Sequence, residues 1–362
     1  MEFLIALNLS FFLAIILTLV VKKIALKLKI VDQPDKERKI HKKPIPLLGG
    51  IAIFLSFFII LSYFSFFTDF IIRDYIAAKH IIGIIIASLI IIFGGFLDDK
   101  YNLKPGQQII FPIIAILIII ACGIGIDHIR NPFGGTIRFD QMHLVLFEWR
   151  GIPYKLTLLA DLFTMIWLLG MTYTTKLLDG LDGLVSGISL IGCLIIFGIS
   201  ISERVNQPNV ALIALILSGA FLGFLIFNWH PAKIFLGEGG SLFAGFIIGV
   251  LAILSGSKVA TTLLIMGIPI LDVAWTIIRR LREGKNPFKF SDRKHLHFRL
   301  LDLGLSQEKA VLFLYLLTAL FGSLALFLQT FGKLIALFIL GLVMVIIIIS
   351  LLILYKRKAV KL

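Results

Sequence analysis

The chain has 362 residues, 59% of them hydrophobic and 15% charged, and a formal net charge of +14. Soluble domains are about 45–50% apolar and about 25% charged, so this composition excludes a cytosolic enzyme and a disordered chain. With only Cys122 and Cys193, it also excludes a disulfide-stapled secreted module.

A helix needs about 20 apolar residues to cross the hydrocarbon core. Such runs occupy residues 3–22, 47–66, 77–96, 106–124, 156–174, 184–201, 209–227, 240–254, 259–278, 310–329 and 333–355. They predict an all-α polytopic membrane protein of eleven spans, a single membrane domain over 1–362. Run 240–254 is short, but small flanking residues extend it. The connection from Gly123 to Lys155 holds Asn131-Pro132-Phe133-Gly134-Gly135 and then the mixed stretch Thr136 to Gln141. That pattern predicts a turn and a short hairpin. No convincing internal repeat is present, which argues against a transporter built from inverted repeats.

Eleven spans put the termini on opposite sides. One set of connections carries 26 Lys and Arg and the other carries 9. The positive side faces the cytoplasm, so the N-terminus is expected outside and the tail after Tyr355 inside. The first run then reads as a retained span, since no basic stretch or small-residue cleavage site precedes it. Orientation and anionic membrane lipids account for the basic surplus, and no nucleic-acid partner is needed.

The unusual polar residues fall on that same cytoplasmic side. Arg38 to Pro44 leads into Leu47-Leu48-Gly49-Gly50, and reads either as positive-inside charge alone or as Lys42 or Lys43 set to neutralise a diphosphate. Gly94-Gly95-Phe96-Leu97-Asp98-Asp99-Lys100 ends the third span. Adjacent carboxylates repel each other and need a cation, donors or water; the plainer reading is a hydrated helix end. Lys104 follows closely. Leu178-Asp179-Gly180-Leu181-Asp182-Gly183-Leu184 follows the fifth span. If helical, Asp179 and Asp182 share a face; doubled Asp-Gly is also an ordinary turn signal.

Phe227-Asn228-Trp229-His230-Pro231 opens a loop that ends in Gly237-Glu238-Gly239-Gly240-Ser241 before an apolar run. That places a carboxylate beside a helix N-terminus, with Ser241 also readable as a cap. Asp292-Arg293-Lys294-His295-Leu296-His297-Phe298-Arg299 lies in the longest cytoplasmic connection. Arg293, His295 and His297 suit phosphate better than zinc, because Cys ligands are absent and the flanks are cationic. A solvated loop meeting lipid headgroups is the alternative. Acids at helix ends point to an enzyme at the lipid–water boundary; a transporter or channel would place them near mid-membrane.

Taken in order, Pro44 to Gly50, Asp98-Asp99, Asp179 to Gly183, Asn228 to Ser241 and Asp292 to Leu305 resemble the polyprenyl-phosphate sugar-1-phosphate transferases. The resemblance implies ten or eleven transmembrane helices in the plasma membrane, cytoplasmic active-site loops and often a homodimer. It implies Mg²⁺-dependent transfer, with Mn²⁺ as a substitute, of a sugar 1-phosphate from a UDP-sugar to undecaprenyl phosphate, releasing UMP. By the same resemblance, Asp98 assists attack by the lipid phosphate and Asp99 organises phosphate and metal. Asp179 and Asp182 orient the nucleotide, Asn228 supports its pocket, and Glu238 stands at the metal-ligand position. His295 and His297 meet phosphates, as do Lys42 and Lys104.

The stretch from Asp292 to Ser306 is similar to the N-acetylglucosamine-phosphate branch, so UDP-N-acetylglucosamine is the expected donor and UDP-MurNAc-pentapeptide the alternative. Four positions depart from the family pattern: Glu238 replaces Asp, Lys176 and Tyr173 replace Asn, and Phe298 replaces a third histidine. Lys176 is expected to supply part of the metal's charge or to pair with Glu238.

Overall fold

The computed structural model describes residues 1–34, 43–141, 143–149, 152–256, 259–284 and 295–360. The chain opens with α1 (Glu2–Lys27), then a two-residue antiparallel pair, β1 (Val31–Asp32) with β2 (Ile45–Pro46), and α2 (Gly49–Phe66). Next come α3 (Ala78–Tyr101), the single turn α4 (Pro105–Gln108) and α5 (Ile110–Ala121). Two hairpins follow: β3 (His128–Arg130) with β4 (Thr136–Arg138), and β5 (Leu144–Trp149) with β6 (Ile152–Leu156). The first is the hairpin expected around Gly134-Gly135, and the second was not anticipated.

The rest is helical. It comprises α6 (Leu158–Leu178), α7 (Leu184–Ile201), α8 (Pro208–Asn228), α9 (Gly237–Leu254), α10 (Val259–Ile265), α11 (Gly267–Arg282), α12 (Leu296–Asp302), α13 (Gln307–Phe327) and α14 (Thr330–Val360).

Among the described residues, nine helices are long and apolar enough to cross a membrane, or ten if the pair α10–α11 is one span. Eleven were expected. The run at 106–124 is α4 plus the twelve-residue α5, too short to count by itself. The run at 259–278 is bent by 81° between α10 and α11. Pro269 explains the bend: it has no N–H to offer the Ile265 carbonyl four residues back.

Helix α9 is the centre. Of its apolar window, 94% is buried, the signature of a helix that is apolar all round. Helices α2, α3, α6 and α7 pack on it. Small residues set the spacing. The buried stripe of α1 is Ala6, Ser10, Ala14, Thr18, Val21 and Ala25. It lies on α8, where a Cβ at Gly223 would come within 2.4 Å of the Phe11 carbonyl oxygen. Lipid gives helices little hydrophobic reason to associate, so close backbone packing and hydrogen bonds hold them. Ser10 Oγ donates to the Ile216 carbonyl at 2.7 Å and Ser56 Oγ to the Ser10 carbonyl at 2.8 Å, tying α1, α2 and α8 together.

Candidate active site

The ends of several helices, α3, α6, α7, α8, α9 and α12 among them, meet at one end of the bundle. Helix α3 ends at Asn102, whose left-handed backbone (φ 51°) lets its N–H cap the Asp98 carbonyl at 2.8 Å. The chain then doubles back, and Asp98 Oδ1 accepts the Leu103 N–H at 2.8 Å and Gln108 Nε2–H at 3.1 Å. Gln108 Nε2 also donates to the Leu103 carbonyl at 2.9 Å. Asp98 is buried.

Asp99 faces α9. Its Oδ1 accepts the Glu238 backbone N–H at 3.1 Å, satisfying one of the orphan donors of a helix start. Gly237 makes that approach possible: its φ is +75°, and a Cβ there would lie 2.6 Å from Asp99 Oδ2. The half-buried Glu238 side chain reaches the end of α6, where Lys176 Nζ lies 2.9 Å from Glu238 Oε2. The contact is an ion pair without hydrogen-bond alignment, and Glu238 Oε2 accepts no hydrogen bond among the described residues. Lys176 Nζ donates instead to Gln108 Oε1 at 2.8 Å. Of the two roles expected for Lys176, the structure shows the pairing with Glu238.

Asp179 caps α6. Burial, then the neighbouring charges of Glu238 and Asp182, raise its carboxyl above the usual range. The side chain nevertheless keeps an exposed face, so hydration tempers the burial effect and the neighbouring negative charge is the firmer cause. Asp182 turns to the loop after α8. Its Oδ2 contacts His230 Nδ1 at 2.7 Å and accepts the Ala232 N–H at 3.0 Å. Asn228 is engaged within the protein: its Oδ1 accepts from Ser186 Oγ at 2.7 Å and its Nδ2 donates to the Ile234 carbonyl at 3.0 Å. Both residues shape the loop that carries the chain into α9.

The histidines close the arrangement. His295 Nδ1 lies 2.8 Å from Asp272 Oδ2, and Asp272 Oδ1 accepts the Leu296 N–H at 2.9 Å. All three residues are buried. The His295 and His297 rings stack with centroids 5.7 Å apart. His297 packs against the Asp-Gly motif so closely that a Cβ at Gly180 would lie 2.3 Å from its Nε2.

The structure therefore gathers Asp98, Asp99, Lys176, Asp179, Asp182, Asn228, Glu238, His295 and His297 at one end. Lys104 is exposed at the start of α4, where its backbone N–H donates to Gln107 Oε1 at 3.0 Å. Lys42 and Arg293 lie outside the described residues. Sequence reasoning missed Gln108, His230 and Asp272. Asp272 carried a signal, since an acid inside an apolar run demands a partner. A recess of about 490 Å³ lined by Asp127, Arg138 and Asp140 sits elsewhere, and none of the gathered residues lines it.

Residues 81–256 match the family described as Glycosyl transferase family 4. The chain is 34% identical to the probable undecaprenyl-phosphate N-acetylglucosaminyl 1-phosphate transferase of Bacillus subtilis, over 91% of this chain and 86% of that protein. It is 28% identical to the decaprenyl-phosphate N-acetylglucosaminephosphotransferase of Mycolicibacterium smegmatis, over 82% of this chain and 74% of that one. It is 27% identical to the undecaprenyl-phosphate alpha-N-acetylglucosaminyl 1-phosphate transferase of Escherichia coli, over 84% and 77%. On the likeness to the Bacillus protein and on the ordered motifs, the chain belongs to the polyprenyl-phosphate sugar-1-phosphate transferases.

Proposed function

We propose that this protein transfers N-acetylglucosamine 1-phosphate from UDP-N-acetylglucosamine to undecaprenyl phosphate, the first membrane step of a cell-envelope glycan pathway. An oxygen of the lipid phosphate forms a bond to the sugar-bearing phosphorus. The bond from that phosphorus to the bridging oxygen breaks, and UMP leaves with the oxygen. The observation that carries the reading is the convergence of acids, an ammonium and imidazoles at the ends of spans, where a membrane lipid and a soluble nucleotide sugar can both reach.

The geometry supports the following roles. Both hydrogen bonds to Asp98 fall on Oδ1, leaving Oδ2 to accept a proton from, or orient, the lipid phosphate. Asp99 fixes the start of α9 and with it Glu238. Asp272 accepts from His295 Nδ1, which sets Nε2 as the nitrogen facing substrate phosphate. Asp182 and Asn228 hold the loop bordering the nucleotide, and Asp179, with its raised proton affinity, faces the donor. His297 backs His295. Lys104 and Lys42 complete the phosphate contacts that the resemblance implies, and Arg293 adds the one read from its basic stretch.

Mg²⁺ is the cofactor the family resemblance implies, with Glu238 as its ligand. The residues do not present it a resident cage. Among the described residues no three His, Cys, Asp or Glu side chains converge on one point, and the Glu238 oxygen already faces the Lys176 ammonium. Among the described residues, Lys176 is the ammonium that pairs with Glu238.

The same site supports an orientation. Helices α3 and α6 both end at the cluster, which favours a crossing by 105–121 between them. That supports eleven crossings, termini on opposite sides, and a cluster facing the cytoplasm of the plasma membrane, the side of the positive connections. A homodimer remains part of the reading by resemblance, and contacts with anionic lipids part of the reading by charge. Purified protein with undecaprenyl phosphate, MgCl₂ and a panel of UDP-sugars tests the assignment. UMP and a lipid product from UDP-N-acetylglucosamine support it; no UMP from any donor contradicts it.

A further inference from the structure

The gathered carboxylates repel one another, and like charges in a partly desolvated pocket need a cation or protons. The structure supplies a cation from within. Lys176 is not a mobile surface lysine: its side chain is 16% exposed and its Nζ lies 2.9 Å from Glu238 Oε2. A second contact fixes it, the bond to Gln108 Oε1 at 2.8 Å. Gln108 cannot swing away, because its Nε2 donates to both Asp98 Oδ1 and the Leu103 carbonyl. The amide has its donor end held by two acceptors, which aims its oxygen at the ammonium. The network thus runs from Asp98 through Gln108 and Lys176 to Glu238, whose backbone N–H returns to Asp99.

We propose that Lys176 is the resident cation of this site, held there by Gln108 as a positioning residue and competing with a divalent ion for Glu238. An ammonium has three donors. Gln108 takes one, Glu238 is held by charge without alignment, and a remaining donor is available to an anionic oxygen of the substrate diphosphate. A divalent ion approaching Glu238 meets a positive charge already in place, so wild-type protein binds such an ion weakly. That last donor's partner rests on the transfer reading above; the competition does not.

The test is Mn²⁺ binding by electron paramagnetic resonance, on the full chain without substrate. Lys176→Gln is expected to bind Mn²⁺ at least about tenfold more tightly than wild type, about 1.4 kcal/mol. Lys176→Arg is expected to stay weak. The gain is expected to vanish when Glu238→Gln is added. Gln108→Leu, which leaves the ammonium present but loosened, is expected to shift affinity in the same direction and serves if Lys176→Gln does not fold. Equal affinity in wild type and either variant would overturn the proposal, as would a gain that survives Glu238→Gln. A failure to release UMP, with the Mn²⁺ pattern intact, would refute the transfer reading and leave the cation assignment standing.

Discussion

Gly95 of α3 and Gly239 of α9 touch backbone to backbone: a Cβ on Gly95 would lie 2.0 Å from the Gly239 Cα. One helical turn beyond Gly95 is Asp99, which accepts the Glu238 N–H at 3.1 Å. The helix crossing and the spacing of the two acids are therefore one geometric fact. Gly50 and Gly240 repeat the device between α2 and α9, with a Cβ on Gly50 falling 2.2 Å from the Gly240 Cα.

Gly95→Ala is accordingly expected to push α3 off α9. Overpacking of this kind costs roughly 1–3 kcal/mol. Transfer is expected to fall about a hundredfold, because displacements near 1 Å carry that order of penalty. Thermal unfolding and UMP release measured on the same preparation check both parts.

Asp272 makes two bonds that differ in kind. Asp272→Asn can keep an acceptor for the Leu296 N–H, but its amide opposes His295 Nδ1–H and favours the other tautomer. The expected result is a kcat loss of about tenfold or more with a small change in unfolding midpoint. Asp272→Ala also leaves the buried Leu296 N–H without its acceptor, costing about a further 1–3 kcal/mol of stability. Comparing kcat, KM and unfolding for the two variants separates orientation from support.

His297 is 1% exposed and neither ring nitrogen has a hydrogen-bond partner among the described residues. Burial, aided by the neighbouring His295 and opposed by Asp272, pushes its pKa down to about 3 from an ordinary 6.5. The folded pKa is below the unfolded one, so the unfolded chain takes up the proton first. Stability from this group is complete above pH 6.5 and is lost as pH falls from 6.5 toward 3, at up to about 1.4 kcal/mol per pH unit. The unfolding midpoint is expected to drop between pH 7 and pH 5, and His297→Phe is expected to flatten that drop.

The sequence carried the membrane frame because burial in lipid demands long apolar runs. Residues 184–201 and 209–227 coincide with α7 and nearly with α8. Hydropathy is blind to a break, so the 81° bend at Ile265 to Gly267 was hidden inside one apolar run. The carboxylates and histidines were legible because charge beside an apolar span is expensive. Gln108 was not, since a neutral amide costs little at a helix end and its meaning lies only in bridging Asp98 to Lys176. The inward roles of Asn228 and Asp182 were equally hidden, because spacing along the chain does not say which partner a side chain turns toward.

Asp99→Asn tests the central claim most directly. It preserves an oxygen for the Glu238 N–H while replacing the ionisable carboxyl with a neutral amide. With undecaprenyl phosphate and UDP-N-acetylglucosamine, wild-type protein is expected to release UMP and form the lipid diphosphate sugar. The variant, with an unchanged unfolding midpoint, is expected to lose at least about a hundredfold in rate. Turnover by Asp99→Asn at the wild-type rate would contradict the account.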